Sequence, residues 1–326
     1  MDAAKKSERL SGGLGQGSQL MMSRADTEIS FRGPWLAAVP WYMILIAFFA
    51  LPSVWLIVLS LTGTDASGGN TFPSLANYHT ILDPEAGQLR ILIRTLTIGS
   101  IVVLLSIVLA VPVAYYLAKC LKSVRLEALT LTIFAGAFFL GPLVRTVSWR
   151  GILGINGVIN YALVNVGLIE QPLLSLLYGW PAMIAAMTYN VFLFMLFTTY
   201  LAMKMVDNRY VAAARDLGAS PTTAFWRIVI PLSAPGLLVG SVLVAVPTLS
   251  AVLESEMLGG TSARVTAAAI RDQFFRVHNW PQGAAITVVL VVAGSIAIGL
   301  LIGLIALFTR LSGHAGISLA KKGQRP

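Results

Sequence analysis

Long apolar runs broken by short polar segments organise this chain of 326 residues. A hydrocarbon core about 30 Å thick is crossed by about 20 apolar residues in a helix. Six runs meet that length: 35–61, 91–118, 128–147, 181–205, 234–253 and 285–308. Pro112, Gly136, Gly141, Pro142, Pro235 and Pro247 lie inside them, and such residues are tolerated where neighbouring helices satisfy the backbone. A seventh run, 151–169, carries Asn156, Asn160, Asn165 and four glycines. An unpartnered amide is expensive in lipid, so this run predicts a surface or re-entrant segment on the outer side. The pattern predicts an all-α integral membrane protein with six transmembrane helices over residues 35–309. A polar, Gly/Ser-rich tail over 1–34 reads as disordered, and as no signal peptide because the first apolar run starts late and is long enough to span. A second tail covers 310–326.

The fourth and fifth runs are joined by a polar segment, 206–231, that predicts a helical hairpin. Asp207 can cap a helix presenting Val211, Ala214 and Leu217 on one side. Gly218 stands where a helix C-terminus favours positive φ. Ser220 can cap a second helix with Pro221 at its first position, where a missing N–H costs nothing. Phe225, Ile228 and Val229 form that helix's apolar side, and Pro231 is expected to stop it. Small side chains at Ala212, Ala213 and Ala214 allow a partner to approach closely.

Composition and charge agree with the spans. Apolar residues make up 56% of the chain and charged residues 11%, well under the roughly 25% of soluble domains. The formal charge of +9 is unevenly spread. With six spans and an inside N-terminus, sixteen lysines and arginines fall on the inner side and seven on the outer. That asymmetry is the positive-inside pattern; it reports topology and contact with membrane lipids rather than nucleic acid. A seventh span would place the hairpin outside. Cys120 is the one cysteine, and His79, His278 and His314 are scattered, so no metal site is expected. The chain holds no phosphate-binding Gly-x-x-x-x-Gly-Lys-Ser/Thr loop and no close intramembrane carboxylate pair for acid–base work. No catalytic residue is assigned.

The motif Ala-Ala-x-x-Leu-Gly-Ala over residues 213–219, with Asp216 among its variable positions, is followed by Phe225-x-x-Ile228-x-x-Pro231. It resembles the cytoplasmic coupling loop of binding-protein-dependent ABC importer permeases. Ala212 stands where that loop usually carries Glu. Leu143-Val-Arg-Thr-Val-Ser-Trp-Arg-Gly-Ile-Leu-Gly154, Leu253-Glu-Ser-Glu-Met-Leu-Gly-Gly260, and Gln273-Phe-Phe with Asn279-Trp-Pro-Gln-Gly283 are similar to segments of the polyamine-type branch. The resemblance covers roughly residues 35–310. It implies a type I permease fold in a bacterial inner membrane, with both termini cytoplasmic. It also implies a second permease subunit, expected to be a different chain, two ABC ATP-binding subunits that hold ATP-Mg, and a periplasmic solute-binding protein. No cofactor is implied for this chain. Ala212, Ala213, Ala214, Asp216, Leu217, Gly218, Ala219, Phe225, Ile228 and Pro231 are then the ATPase-coupling residues. Relatives in the branch handle polyamines, opines and aminophosphonates, which favours a polyamine-like or opine-like amine.

Candidate pathway residues are polar or aromatic positions in or beside the spans. Glu254 and Glu256 follow the fifth run, where a carboxylate attracts a cation; the alternative is a pair of solvated loop charges. Arg145 is expected to pair with one of those glutamates rather than with solute. Tyr189 and Asn190 lie in the fourth run, and Asn190 suits a helix–helix hydrogen bond as well as a pathway. Trp149, Trp180 and Trp280 suit interfacial anchoring, with Trp149 also able to stack on solute. Gly236 with Gly240, and Gly299 with Gly303, permit close helix approach within or between subunits. Two rival functions come from other classes, and the sequence lacks the features that would favour either. An ion-gradient-driven secondary transporter would favour internal repeats and midplane charges. A membrane anchor or sensor would carry a soluble signalling module.

Overall fold

The computed structural model describes residues 34–64, 70–173, 176–260 and 263–322. The expected N-terminal tail lies outside them up to residue 33. The chain divides into two compact units, residues 1–55 and 56–326. The first holds α1 (Pro34–Leu45), a π turn (Ile46–Ala50) and the start of α2 (Leu51–Ser60), whose last five residues are counted with the second. Trp41, Met43, Phe48, Phe49 and Trp55 are all exposed along it, as side chains that face lipid are.

The second unit is helical apart from a two-residue antiparallel pair, β1 (Gly63–Thr64) with β2 (Asn70–Thr71). Then come α3 (Ala76–Leu82), α4 (Gln88–Tyr115) with a π turn to Cys120, α5 (Val124–Phe139), α6 (Pro142–Leu153) and α7 (Val158–Asn165). They are followed by α8 (Trp180–Met205), α9 (Asn208–Asp216), α10 (Pro221–Ala224), a π turn (Phe225–Val229) and α11 (Ile230–Leu249). The chain closes with α12 (Val252–Glu254), α13 (Thr266–Asp272) and α14 (Trp280–Lys322). Among the described residues five stretches are long and apolar enough to cross a membrane: Val39–Ser60, Gln88–Cys120, Trp180–Met205, Pro221–Leu249 and Trp280–Thr309. The pair Val124–Phe139 and Pro142–Asn165, bent by 93°, makes a sixth if counted as one span.

That bend corrects the expected third run at 128–147. The helix stops at Phe139, and Pro142 starts another, with Gly141 in extended conformation as its cap. Proline favours a first helical turn over a helix interior, so Gly141-Pro142 divides the run. The segment after it bears out the reading of 151–169 as something other than a full span. Asn160 is buried and its amide is satisfied: Nδ2 donates to the carbonyls of Gly154 (2.9 Å) and Leu173 (3.2 Å), and Oδ1 accepts from the Leu173 N–H.

The core sits where α8 lies between α4 and α11. Ala182, Met183, Ala186, Met187, Met195, Leu196 and Met203 of α8 meet Val102, Val103, Ala110 and Ala114 of α4, and Leu237, Val244 and Ala245 of α11. Gly236 and Gly240 let α11 reach α8. A Cβ at Gly236 would lie 2.2 Å from the Ala202 Cβ, and one at Gly240 2.4 Å from the Thr198 hydroxyl. This pair packs inside the subunit, while a Cβ at Gly299 or Gly303 meets nothing within 4 Å.

Candidate functional site

The bend at Leu140–Gly141 opens a cleft of about 450 Å³ among α5, α6, α8 and the end of α11. Phe138, Arg145, Met187, Asn190, Thr248 and Glu254 line it. Arg145, Asn190 and Glu254 are each buried. Isolated charges at such places are costly, and here they share one hydrogen-bond network. Asn190 Nδ2 donates to Glu254 Oε1 at 2.7 Å and to Thr146 Oγ1 at 3.2 Å. An Arg145 guanidinium N–H donates to the Asn190 carbonyl at 3.0 Å, and the guanidinium lies 5.5 Å from the Phe138 ring centroid. The expected ion pair between Arg145 and a glutamate is therefore replaced by a relay through Asn190. Helix geometry explains it: Asn190 sits on α8 between α6 and α12, so its amide meets both first. Arg145 Nε and Asn190 Oδ1 have no hydrogen-bond partner among the described residues.

The other candidates sit elsewhere. Trp149 and Tyr189 meet edge to face, with ring centroids 6.0 Å apart. They line a separate apolar cleft with Leu105, Leu109 and Phe192. Trp180 carries the Arg94 guanidinium 5.9 Å above its ring. Glu256 is not among the residues lining the cleft and pairs with Arg271. Arg271 and Arg264 also pair with Asp272, and Arg276 lies 3.4 Å from it. Burial pushes the Asp272 carboxyl up, but the surrounding guanidiniums outweigh it and hold the group below its usual range. Glu256 and Asp272 raise Arg271 above the ordinary guanidinium value. Phe138 and Thr248 of the cleft, and Thr146, which accepts from Asn190 beside it, were not singled out by sequence. Thr146 carried a signal, being polar, adjacent to Arg145 and inside an apolar run.

The hairpin takes the expected shape. The Asp207 carboxylate accepts from the Arg209 N–H at 2.9 Å, and Ser220 Oγ from the Thr223 N–H at 3.2 Å. Gly218 holds φ +85°, and the Gly218 and Ala219 N–H groups close the C-terminus of α9 on Arg215 and Ala214. No residue of α9 is buried, and Leu217 at the tip is 89% exposed. The second helix does not stop at Pro231. It runs from Pro221 to Leu249 as one span. The π turn over Phe225–Val229 shifts bonding to the fifth residue back, with the Ile230 N–H on the Phe225 carbonyl, and Pro231 follows it in the first turn of α11. There its missing N–H and fixed φ are tolerated.

A bundle of spans with a polar cleft at a broken helix, and a capped hairpin left bare beyond it, defines a membrane subunit that works with other proteins. The chain belongs to the family described as binding-protein-dependent transport system inner membrane component, whose model matches residues 29–312. It is a multi-pass inner-membrane permease subunit of an ABC importer with the type I fold. It is 32% identical over 249 residues to the spermidine/putrescine transport system permease protein of Escherichia coli K12, covering 76% of this chain and 89% of that one. To the corresponding Haemophilus influenzae protein it is 28% identical, over 76% and 85%. Two solved structures share the fold. A bacterial ABC transporter involved in import of the acidic polysaccharide alginate matches with TM-score 0.66 at 16% identity, over 83% of this chain and 94% of that one. A bacterial alginate ABC transporter in complex with alginate pentasaccharide-bound periplasmic protein matches with TM-score 0.68 at 16% identity, over 81% and 90%.

Proposed function

We propose that this chain forms half of the pathway for a small polar amine, polyamine-like or opine-like, delivered by a periplasmic binding protein. The other half is a second permease, a different chain. Two ATP-binding subunits hold ATP-Mg and dock on the hairpin, which lies with both termini on the cytoplasmic side. This chain has no ATP site of its own. The observation that carries the solute class is the buried Glu254 carboxylate at the cleft, which accepts from the neutral amide of Asn190 and has no cationic partner among the described residues. A carboxylate in low dielectric attracts an ammonium group more strongly than it does in water. The relatives named for spermidine and putrescine agree with a cationic solute. The exposed Leu217 tip and the small alanines before it support docking in a groove of the ATPase. Ala212 gives that contact less reach than a glutamate would.

The test is purification of the tagged chain from native membranes, followed by uptake of labelled putrescine and spermidine in proteoliposomes. An ATPase and a second permease should co-purify, and uptake should require ATP and the binding protein. Glu254→Gln should raise the apparent KM for the amine about tenfold, equivalent to about 1.4 kcal/mol. Unchanged uptake by that variant would remove Glu254 from the pathway. ATP-independent uptake by the chain alone would overturn the importer reading.

A further inference from the structure

A second polar cluster lies where α8 turns into the hairpin. Val206 caps α8, Asp207 caps α9, and nothing but these two residues separates the helices. Lys119, in the π turn that ends α4, donates to the Val206 carbonyl and, at 2.9 Å, to Asn208 Oδ1. It therefore closes the C-terminus of α8 and holds the first residue of α9 with one ammonium group. One turn before the joint, Lys204 pairs with Glu127 of α5 at 2.5 Å, and the Tyr200 hydroxyl donates to the same carboxylate oxygen. Glu127 is buried although it lies at the start of α5. Beyond the hairpin, Phe225 packs edge-on against Tyr115 at the end of α4, with centroids 4.7 Å apart.

We infer that Lys119, with the Glu127–Lys204–Tyr200 cluster, is a strap that fixes the hairpin to the ends of α4 and α5, so that hairpin and spans move as one body. The inference rests on the coupling role proposed above. Without the strap the joint at Val206–Asp207 is a two-residue link. With extended φ/ψ at both positions, the Val206 N–H bonds back to Met203 and the Asp207 carbonyl accepts from Tyr210 ahead, and among the described residues no backbone hydrogen bond joins α8 to α9. Motion of the ATPase would then bend the link instead of moving the spans. Lys119 and Lys204 place two cations on the joint, and the second is neutralised by Glu127. These are positioning residues: they touch neither solute nor nucleotide, and none belongs to the hairpin's exposed face.

The experiment uses the assembled importer in proteoliposomes with its binding protein. It compares the wild type, Lys119→Met, Lys119→Arg and Glu127→Gln for solute moved per ATP hydrolysed. Lys119→Met and Glu127→Gln should keep the ATPase bound and hydrolysing. Their solute per ATP should fall about tenfold or more, the factor that a lost charge-assisted hydrogen bond contributes to a two-state equilibrium. Lys119→Arg, which retains a donor, should recover most of it. An unchanged ratio in both deletions overturns the strap. Loss of ATPase stimulation already in the wild type would instead overturn the coupling reading. A second readout does not depend on deleting the cluster. Spin labels on the exposed Cys120 and on Arg215→Cys should keep one distance through the ATP cycle, and a distance that changes with nucleotide also overturns the strap.

Discussion

Gly240 shows how one hydrogen atom sets the distance between two spans. A side chain there would press on Thr198 and on the Met195 sulfur, 2.8 Å away. Gly240→Leu should lower stability in detergent by about 1–3 kcal/mol, the range for forced overpacking, while Gly303→Leu should leave the melting temperature unchanged. Equal melting of the two variants would contradict the assigned α8–α11 contact. The Gly-x-x-x-Gly spacing was visible in the sequence, but its partner was not, because two similar pairs occur and only tertiary packing separates them. Arg145, Asn190 and Glu254 were likewise visible as polar residues in apolar surroundings. Their exchange of partners was not, since it depends on α8 standing between α6 and α12. Glu127 passed unnoticed because a carboxylate near a predicted inner boundary reads as solvated. Its burial comes from Tyr200 and Lys204, over 70 residues later.

At the scale of elements, caps and turns were the most legible features. Asp207, Gly218 and Ser220 act through neighbours two or three residues away, so local rules suffice. Gly218→Glu places a side chain at φ +85°, which costs about 1–2 kcal/mol. That variant should uncouple ATP hydrolysis from uptake in the reconstituted importer, and wild-type transport would remove the lever role of the hairpin. Two elements defied local rules in opposite directions. Gly141-Pro142 was read as tolerated within a span, and it breaks one. Pro231 was read as a stop, and it is absorbed. The difference is position: Pro142 follows an extended glycine, whereas Pro231 enters just after a π turn has shifted the hydrogen-bond ladder.

The charged side chains of the second unit gather into two clusters. At one lies the hairpin with its lysine and glutamate supports. At the other, Asp272 gathers Arg264, Arg271 and Arg276, and Arg271 ties in the segment of Glu256 that leads on from Glu254. Because Asp272 titrates lower in the folded chain than its ordinary value of 3.8, its contribution to stability is present above that value. It is lost as pH falls through the lower, folded one. Amide exchange over residues 266–277 should therefore be slow and constant from about pH 5 to 8 once corrected for intrinsic rates, and protection should collapse below about pH 4. Protection that fell between pH 8 and 6 would point to a different group. Five of the spans were legible from apolar length alone, since the bilayer imposes it, whereas the run broken at Gly141-Pro142 was not. The three π turns described within them, at Ile46–Ala50, Tyr116–Cys120 and Phe225–Val229, were not. Each adds a residue without adding a turn, and one residue rotates everything downstream by about 100° around the helix axis. The wide turn at Phe225–Val229 therefore acts as a phase shifter between two interlocked gears. It lets the face of α10 be chosen for the hairpin and the face of α11 for the bundle, with neither choice constraining the other.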